Sequence, residues 1–154
     1  MFLTEADPCK TKDYKILSEP DRAAGFKTID EPKSDKNHLN ESVAWYRFSG
    51  DAGSRMAKRC VPEMRCGAEA TGWLSGSHPS EEEGIVNRTV CFHSGDDCCY
   101  WRSQVKVRNC SGFYLYYLKR EVLGAYEKYR YCGNGKGTMS NTSFSSVGSL
   151  IFSQ

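Results

Sequence analysis

A chain of 154 residues with 39% apolar and 26% charged content has room for one domain with a modest core, and a formal charge of +2 is too small for a nucleic-acid binder. No run approaches the roughly 18 apolar residues of a membrane helix, so no membrane segment is predicted. Eight cysteines and 14 glycines point to a fold held partly by disulfides, and so to an oxidising compartment.

The chain opens on residues 1–7, too short and polar for a signal peptide. This conflicts with the disulfide reading unless the chain is a fragment or lacks an upstream exon; a cytosolic location is the competing explanation. Residues 10–40 are polar, with Pro20, Pro32 and the run Lys33-Ser34-Asp35-Lys36-Asn37. They read as a mostly irregular arm pinned at Cys9, with one short helical turn near Tyr14 to Leu17. Trp45-Tyr46-Arg47-Phe48 alternates as a strand with one wet face does. Ser49-Gly50-Asp51-Ala52-Gly53-Ser54 is turn chemistry, and Cys60 and Cys66 bracket a loop containing Pro62.

Residues 67–72 read as a loop, Trp73-Leu74 as a short apolar insertion, and residues 75–80 as a further turn. Glu81-Glu82-Glu83-Gly84 is a solvated charge run. Residues 85–92 are rich in β-branched side chains and form a predicted strand. Ser94-Gly95-Asp96-Asp97 turns the chain into the vicinal pair Cys98-Cys99. Residues 104–110 alternate strictly, with one basic face, and 113–118 are the most aromatic strand candidate. Ser111-Gly112 between them suits a tight hairpin. Residues 119–131 are a helical turn or an extended return to Cys132, and residues 134–154 a Gly- and Ser-rich disordered tail.

Eight cysteines allow about 105 connectivities, and spacing alone does not choose. Neighbouring cysteines rarely bond to each other, so Cys98 and Cys99 are expected to take different partners. Zinc is disfavoured: there is no tight C-x-x-C pair, and His38, His78 and His93 form no H-x-x-x-H spacing. Calcium at Asp96-Asp97 with residues 81–83 has no ligand periodicity behind it. No cofactor is expected. Catalytic motifs fare no better. Cys91-Phe92-His93 reads as a disulfide cysteine beside a surface histidine, not a nucleophile and its base. Gly72-Trp73-Leu74-Ser75-Gly76 is not a G-x-S-x-G elbow, and Gly133-Asn134-Gly135-Lys136-Gly137 lacks P-loop spacing. The chain is expected not to be an enzyme.

Asp7-Pro8-Cys9, Trp45-Tyr46-Arg47-Phe48, Arg55-Met56, Cys60-Val61-Pro62, Arg65-Cys66-Gly67, Gly72-Trp73-Leu74, His78-Pro79, Glu83-Gly84-Ile85-Val86, Cys98-Cys99, Val107-Arg108-Asn109-Cys110 and Tyr131-Cys132-Gly133 stand in the order of one family. From Asp7 to Gly133 the chain resembles the cysteine-rich domain shared by uromodulin, the pancreatic zymogen-granule membrane glycoprotein and the liver zona-pellucida-type protein. The resemblance implies a mainly β or small α+β fold, compact, disulfide-stapled and extracellular. It divides the chain into a leader remnant (1–6), the cysteine-rich domain (7–133) and the tail (134–154). It also implies the pairing Cys9–Cys110, Cys60–Cys98, Cys66–Cys132 and Cys91–Cys99.

Two departures bear on function. Relatives carry a cysteine shortly before the Trp-Tyr-Arg-Phe strand and another before the final Tyr-Cys; His38-Leu39-Asn40 and Tyr126-Glu127-Lys128 hold neither, so the arm before Val43 is expected to be looser. The relatives' glycan bait for lectin-type adhesins follows Trp-Leu as Asn-Gly-Ser/Thr, whereas Ser75-Gly76-Ser77 lacks the asparagine. Of the sequons present, those at Asn40 and Asn87 are the candidate glycosylation sites; Asn109 neighbours a bonded cysteine, and Asn141 lies in the tail.

The expected function is a non-catalytic extracellular interaction module of a larger secreted or membrane-anchored glycoprotein, in adhesion, matrix assembly or mucosal defence. Its expected partners are extracellular proteins or glycan-binding proteins. The alternative is a small secreted inhibitor or ligand acting through an exposed loop at residues 67–79.

Overall fold

Alternating aromatic and β-branched runs become strands because one face of each can be buried while the other stays wet. The computed structural model describes residues 6–39, 41–122, 124–125 and 128–138. Among them are seven strands: β1 (Lys15–Leu17), β2 (Val43–Phe48), β3 (Ala70–Ser75), β4 (Ile85–Ser94), β5 (Asp97–Asn109), β6 (Tyr114–Lys119) and β7 (Tyr129–Tyr131). They form one mainly antiparallel sheet in the order β1-β2-β6-β5-β4-β3-β7. Two four-residue helices, α1 (Pro8–Thr11) and α2 (Asp35–His38), belong to the N-terminal arm. The hairpin turns fall where turn chemistry predicts them, with Gly95 between β4 and β5 and Ser111-Gly112 between β5 and β6, all at positive φ.

Three segments depart from the sequence reading. Tyr14 to Leu17 holds no helical turn. Residues 15–17 are β1, paired in parallel with β2 from Lys15↔Tyr46 to Leu17↔Phe48, because so short a helix is poorly nucleated while an edge ladder supplies its hydrogen bonds. Residues 67–79 are not an exposed loop. Their centre is β3, which pairs with β4 on one side and in parallel with β7 on the other, so Ala70, Thr71, Gly72 and Leu74 are buried. Gly72 made this strand look like a loop, but its glycine is a packing requirement. A Cβ there would sit 2.6 Å from the Phe92 ring and 2.8 Å from the Arg130 carbonyl. Finally, residues 134–138, expected in a disordered tail, are tied into the fold. Gly25 N–H donates to the Gly135 carbonyl, Gly135 N–H to the Ala52 carbonyl, and Asn134 Oδ1 accepts from Ser54 and Arg55 N–H. The rest of the expected tail, 139–154, and most of the expected leader remnant, 1–5, lie outside the described residues.

The core fills the inner face of the sheet with Tyr46, Phe48, Leu74, Val90, Phe92, Val107, Tyr116, Leu118, Tyr129 and Tyr131. Its rings meet edge to face, with Phe92 between Tyr129 and Tyr131. Four disulfides staple the fold: Cys9–Cys110 holds α1 to the β5–β6 turn, Cys60–Cys98 and Cys91–Cys99 gather at the β4–β5 turn, and the buried Cys66–Cys132 anchors the end of β7. Each such closure contributes about 2–4 kcal/mol.

The arm read as irregular carries the most deeply buried charges. Arg22, Asp35 and Arg130 are 0%, 0% and 1% exposed. Arg22 donates both terminal nitrogens to Asp35 at 2.8 and 2.9 Å and its Nε to Glu19 at 2.6 Å; Asp35 Oδ2 also accepts the Tyr131 N–H at 2.9 Å. Arg130 reaches Asp21 at 3.0 Å. Burial alone would lower the Arg22 pKa; Asp35, and after it Glu19, more than reverse this and raise it, so the guanidinium stays charged. Asp35→Ala is therefore expected to cost about 3–5 kcal/mol, since it leaves two buried arginines short of their carboxylate, whereas the paired replacement Arg22→Met with Asp35→Leu costs much less. Denaturant unfolding of both variants measures the difference.

Candidate functional site

The outer sheet face carries a row of side chains drawn from four strands. Register places Trp45 (β2) beside Tyr117 (β6), Tyr117 beside Lys106 (β5), and Lys106 beside Asn87 (β4). The Trp45 and Tyr117 ring centroids are 5.1 Å apart, and Lys106 Nζ lies 5.7 Å from the Tyr117 ring. A second set flanks the row: the Arg47 guanidinium lies 4.0 Å over Phe113, which meets Tyr14 at 5.8 Å. Between the N-terminal arm and this face runs a groove of about 390 Å³, lined by Tyr14, Trp45 and Tyr117 with Asp13 and Glu41 at its polar edge. Flat apolar rings beside carboxylates and hydroxyls suit ligands with both apolar and hydroxylated faces.

Asn87 stands exposed at the end of that row, on a part of β4 that extends beyond the β3 pairing, which stops at Ser75↔Thr89. Its sequon threonine, Thr89, shares the outer face and accepts from Gln104 Nε2 at 3.0 Å. The side chain of Asn109 is engaged on both sides: Nδ2 donates to the Pro79 carbonyl at 3.0 Å and Oδ1 accepts from Ser111 N–H at 2.9 Å. Asn40 and Asn141 lie outside the described residues.

At one end of the inner face, His78, in a predicted turn, is half-buried. His78 stacks against Tyr114, with centroids 4.5 Å apart, and its Nε2 is 2.7 Å from the Tyr116 hydroxyl. That hydroxyl also accepts the Met56 N–H at 2.9 Å, which leaves its proton for His78. Burial first, then the charges of Arg55, Lys58 and Arg88, push His78 down to about 4, so it is neutral at physiological pH. Burial likewise raises Tyr116, so it keeps its proton. No local sequence signal marks this pair; His78-Pro79 looks like any turn.

All eight cysteines are bonded. Cys91 is therefore held by Cys99, and His93 points away from it: Nδ1 lies 2.8 Å from the Val61 carbonyl and Nε2 2.9 Å from the Gly95 carbonyl. Among the described residues, one His, Cys or acid cluster has metal-ligand spacing, Cys60, His93 and Cys98, but two of its sulfurs are joined to each other and offer no thiolate.

The family model of the uromodulin-like domain matches residues 46–133. Rat (Rattus norvegicus) uromodulin is 44% identical over 113 residues, which is 73% of this chain and 16% of the rat protein. Mouse (Mus musculus) uromodulin is 55% identical over 75 residues, 48% of this chain and 12% of the mouse protein. The dog (Canis lupus familiaris) pancreatic secretory granule membrane major glycoprotein GP2 is 42% identical over 118 residues, 73% of this chain and 21% of the dog protein. The chain thus spans about a fifth or less of the length of these curated relatives.

The lowered pKa of His78 has a consequence for acid stability. As pH falls from the ordinary histidine value of 6.5 towards 4, the unfolded chain takes up a proton that the folded chain refuses, so stability present above that window is lost across it. His78→Phe, which keeps a ring against Tyr114, is expected to flatten the fall between pH 6.5 and 4, read from denaturation midpoints against pH.

Proposed function

The chain belongs to the uromodulin-like domain family, and from that membership we propose that it is a non-catalytic interaction module of a larger extracellular glycoprotein, working in adhesion, matrix assembly or mucosal defence. The domain itself is extracellular: four disulfides with no free thiol among eight cysteines suit an oxidising space, and its relatives are extracellular glycoproteins. The observation that carries the proposal is the exposed Asn87 sequon at the end of the Trp45–Tyr117–Lys106 row. A glycan attached there projects from a rigid sheet beside an aromatic-lined groove, an arrangement suited to presenting sugar to a glycan-binding protein. Ser75 has no side-chain amide to carry a sugar, so in this reading Asn87 is the presenting residue and lectin-type adhesins are the partners.

Secretory expression followed by intact mass tests this. The wild-type protein is expected to carry glycan mass removable by an endoglycosidase, and Asn87→Gln to lose one glycan and, with it, most capture by a mannose-specific lectin. A secreted wild-type protein with Asn87 unmodified overturns the proposal.

A further inference from the structure

A second cleft, of about 630 Å³, lies away from the aromatic row, between residues 55–62 and the Ala24-Gly25 segment. Its floor is apolar, made by Met56, Ala57 and Val61, all buried. Its polar lining is Arg55, Lys58, Arg59 and Asn134, with no carboxylate among the lining residues. Two more arginines extend the positive surface. Arg65 Nη1 donates to the Gly25 carbonyl at the rim, at 3.3 Å, and Arg88 shares with Arg55 and Lys58 the positive field felt at His78.

These five cations are spent differently from those that hold the fold together. Lys15, Arg22, Lys33, Arg108, Lys128 and Arg130 each meet a carboxylate. Arg55, Lys58, Arg59, Arg65 and Arg88 have no ion-pair partner among the described residues: Arg55 lies 5.2 Å over the Tyr114 ring, and Arg65 and Arg88 donate to backbone carbonyls. The segment is also held in place before any ligand arrives. Ala57 N–H donates to the Cys132 carbonyl, Leu74 N–H donates to the Ala57 carbonyl, and Cys60 is bonded to Cys98. A pre-organised site loses little entropy on binding.

We propose that this cleft binds a sulfated polysaccharide chain, with Arg55, Lys58, Arg59, Arg65 and Arg88 holding its sulfates over the Met56–Val61 floor. The cations continue beyond the cleft lining to Arg65 and Arg88, so the ligand is extended and carries repeated negative charge. Guanidinium groups take sulfate oxygens in pairs, and the apolar floor accepts the C–H face of a sugar ring. An extracellular domain meets such polyanions on cell surfaces and in matrix. The site shares no residue with the Asn87 row and needs no glycan on Asn87.

The test uses the full secreted chain with Asn87→Gln, so that its outcome is separate from that of the glycan proposal. Binding to an immobilised heparin-type oligosaccharide is measured at several salt concentrations. The protein is expected to bind, to weaken steeply as salt rises, and to lose about tenfold or more in affinity with K58E/R59E. The control K10E/K36E, which changes net charge equally at exposed lysines, stays within about twofold. Far-UV circular dichroism and the oxidised mass confirm that both variants fold. Absence of binding, equal loss in both variants, equal binding of a fully desulfated chain, or equal displacement by poly-glutamate each overturns the proposal, the last assigning the cleft to acidic peptides instead.

Discussion

Asp35 is shut away from solvent between two arginines that enter from opposite ends of the chain, and the layout of the domain depends on that contact. Its carboxylate receives Arg22 from the arm and the Tyr131 N–H from β7, while Arg130 packs alongside at 3.8 Å. Ions so deeply buried carry a large desolvation cost that is offset only when every partner is in place. The arm from Glu19 to Asp35 therefore cannot loosen without exposing or stranding charge beneath β7. β7 in turn cannot leave β3 without removing the donor that completes Asp35. A polar segment that looks unstructured by composition is in this way made an obligatory part of the core.

Close backbone approach is the second constraint. Gly72 lets β3 lie against the Phe92 ring and the Arg130 carbonyl, which brings the parallel β7 near enough for the ion cluster to form. Gly133 and Gly135 do the same for the exit segment against Ala52. The disulfides then tie the turns around this centre. Cys66–Cys132 lies beside the ion cluster, where Arg130 donates to the Cys66 carbonyl at 3.2 Å.

The two surfaces with functional character follow from how cations are spent. Where a cation meets a carboxylate it holds the fold together, as Arg108 does with Asp7 and Arg130 with Asp21. Where it meets a ring or a carbonyl, its charge remains available to a ligand, as at Arg47 on the aromatic face and at Arg55 beside the cleft. A net charge of +2 conceals this division, because it averages over paired and unpaired groups.

Taken by itself, the sequence determined the antiparallel centre of the sheet and the family. β2, β4, β5 and β6 are written as alternating, β-branched or aromatic runs beside Gly-bearing turns, and such signals act over neighbouring residues, so they survive without tertiary context. It also supplied the motifs of the resemblance and the sequon at Asn87. Tertiary structure alone decided the parallel edge strands β1 and β7, the strand character of β3 around Gly72, the pairing of His78 with Tyr116, and the gathering of unpaired cations around one cleft. The physical reason is the same in each case. A parallel ladder, a buried ion cluster or a row across four strands joins residues far apart in the chain, and their complementarity exists only once the backbone has brought them together.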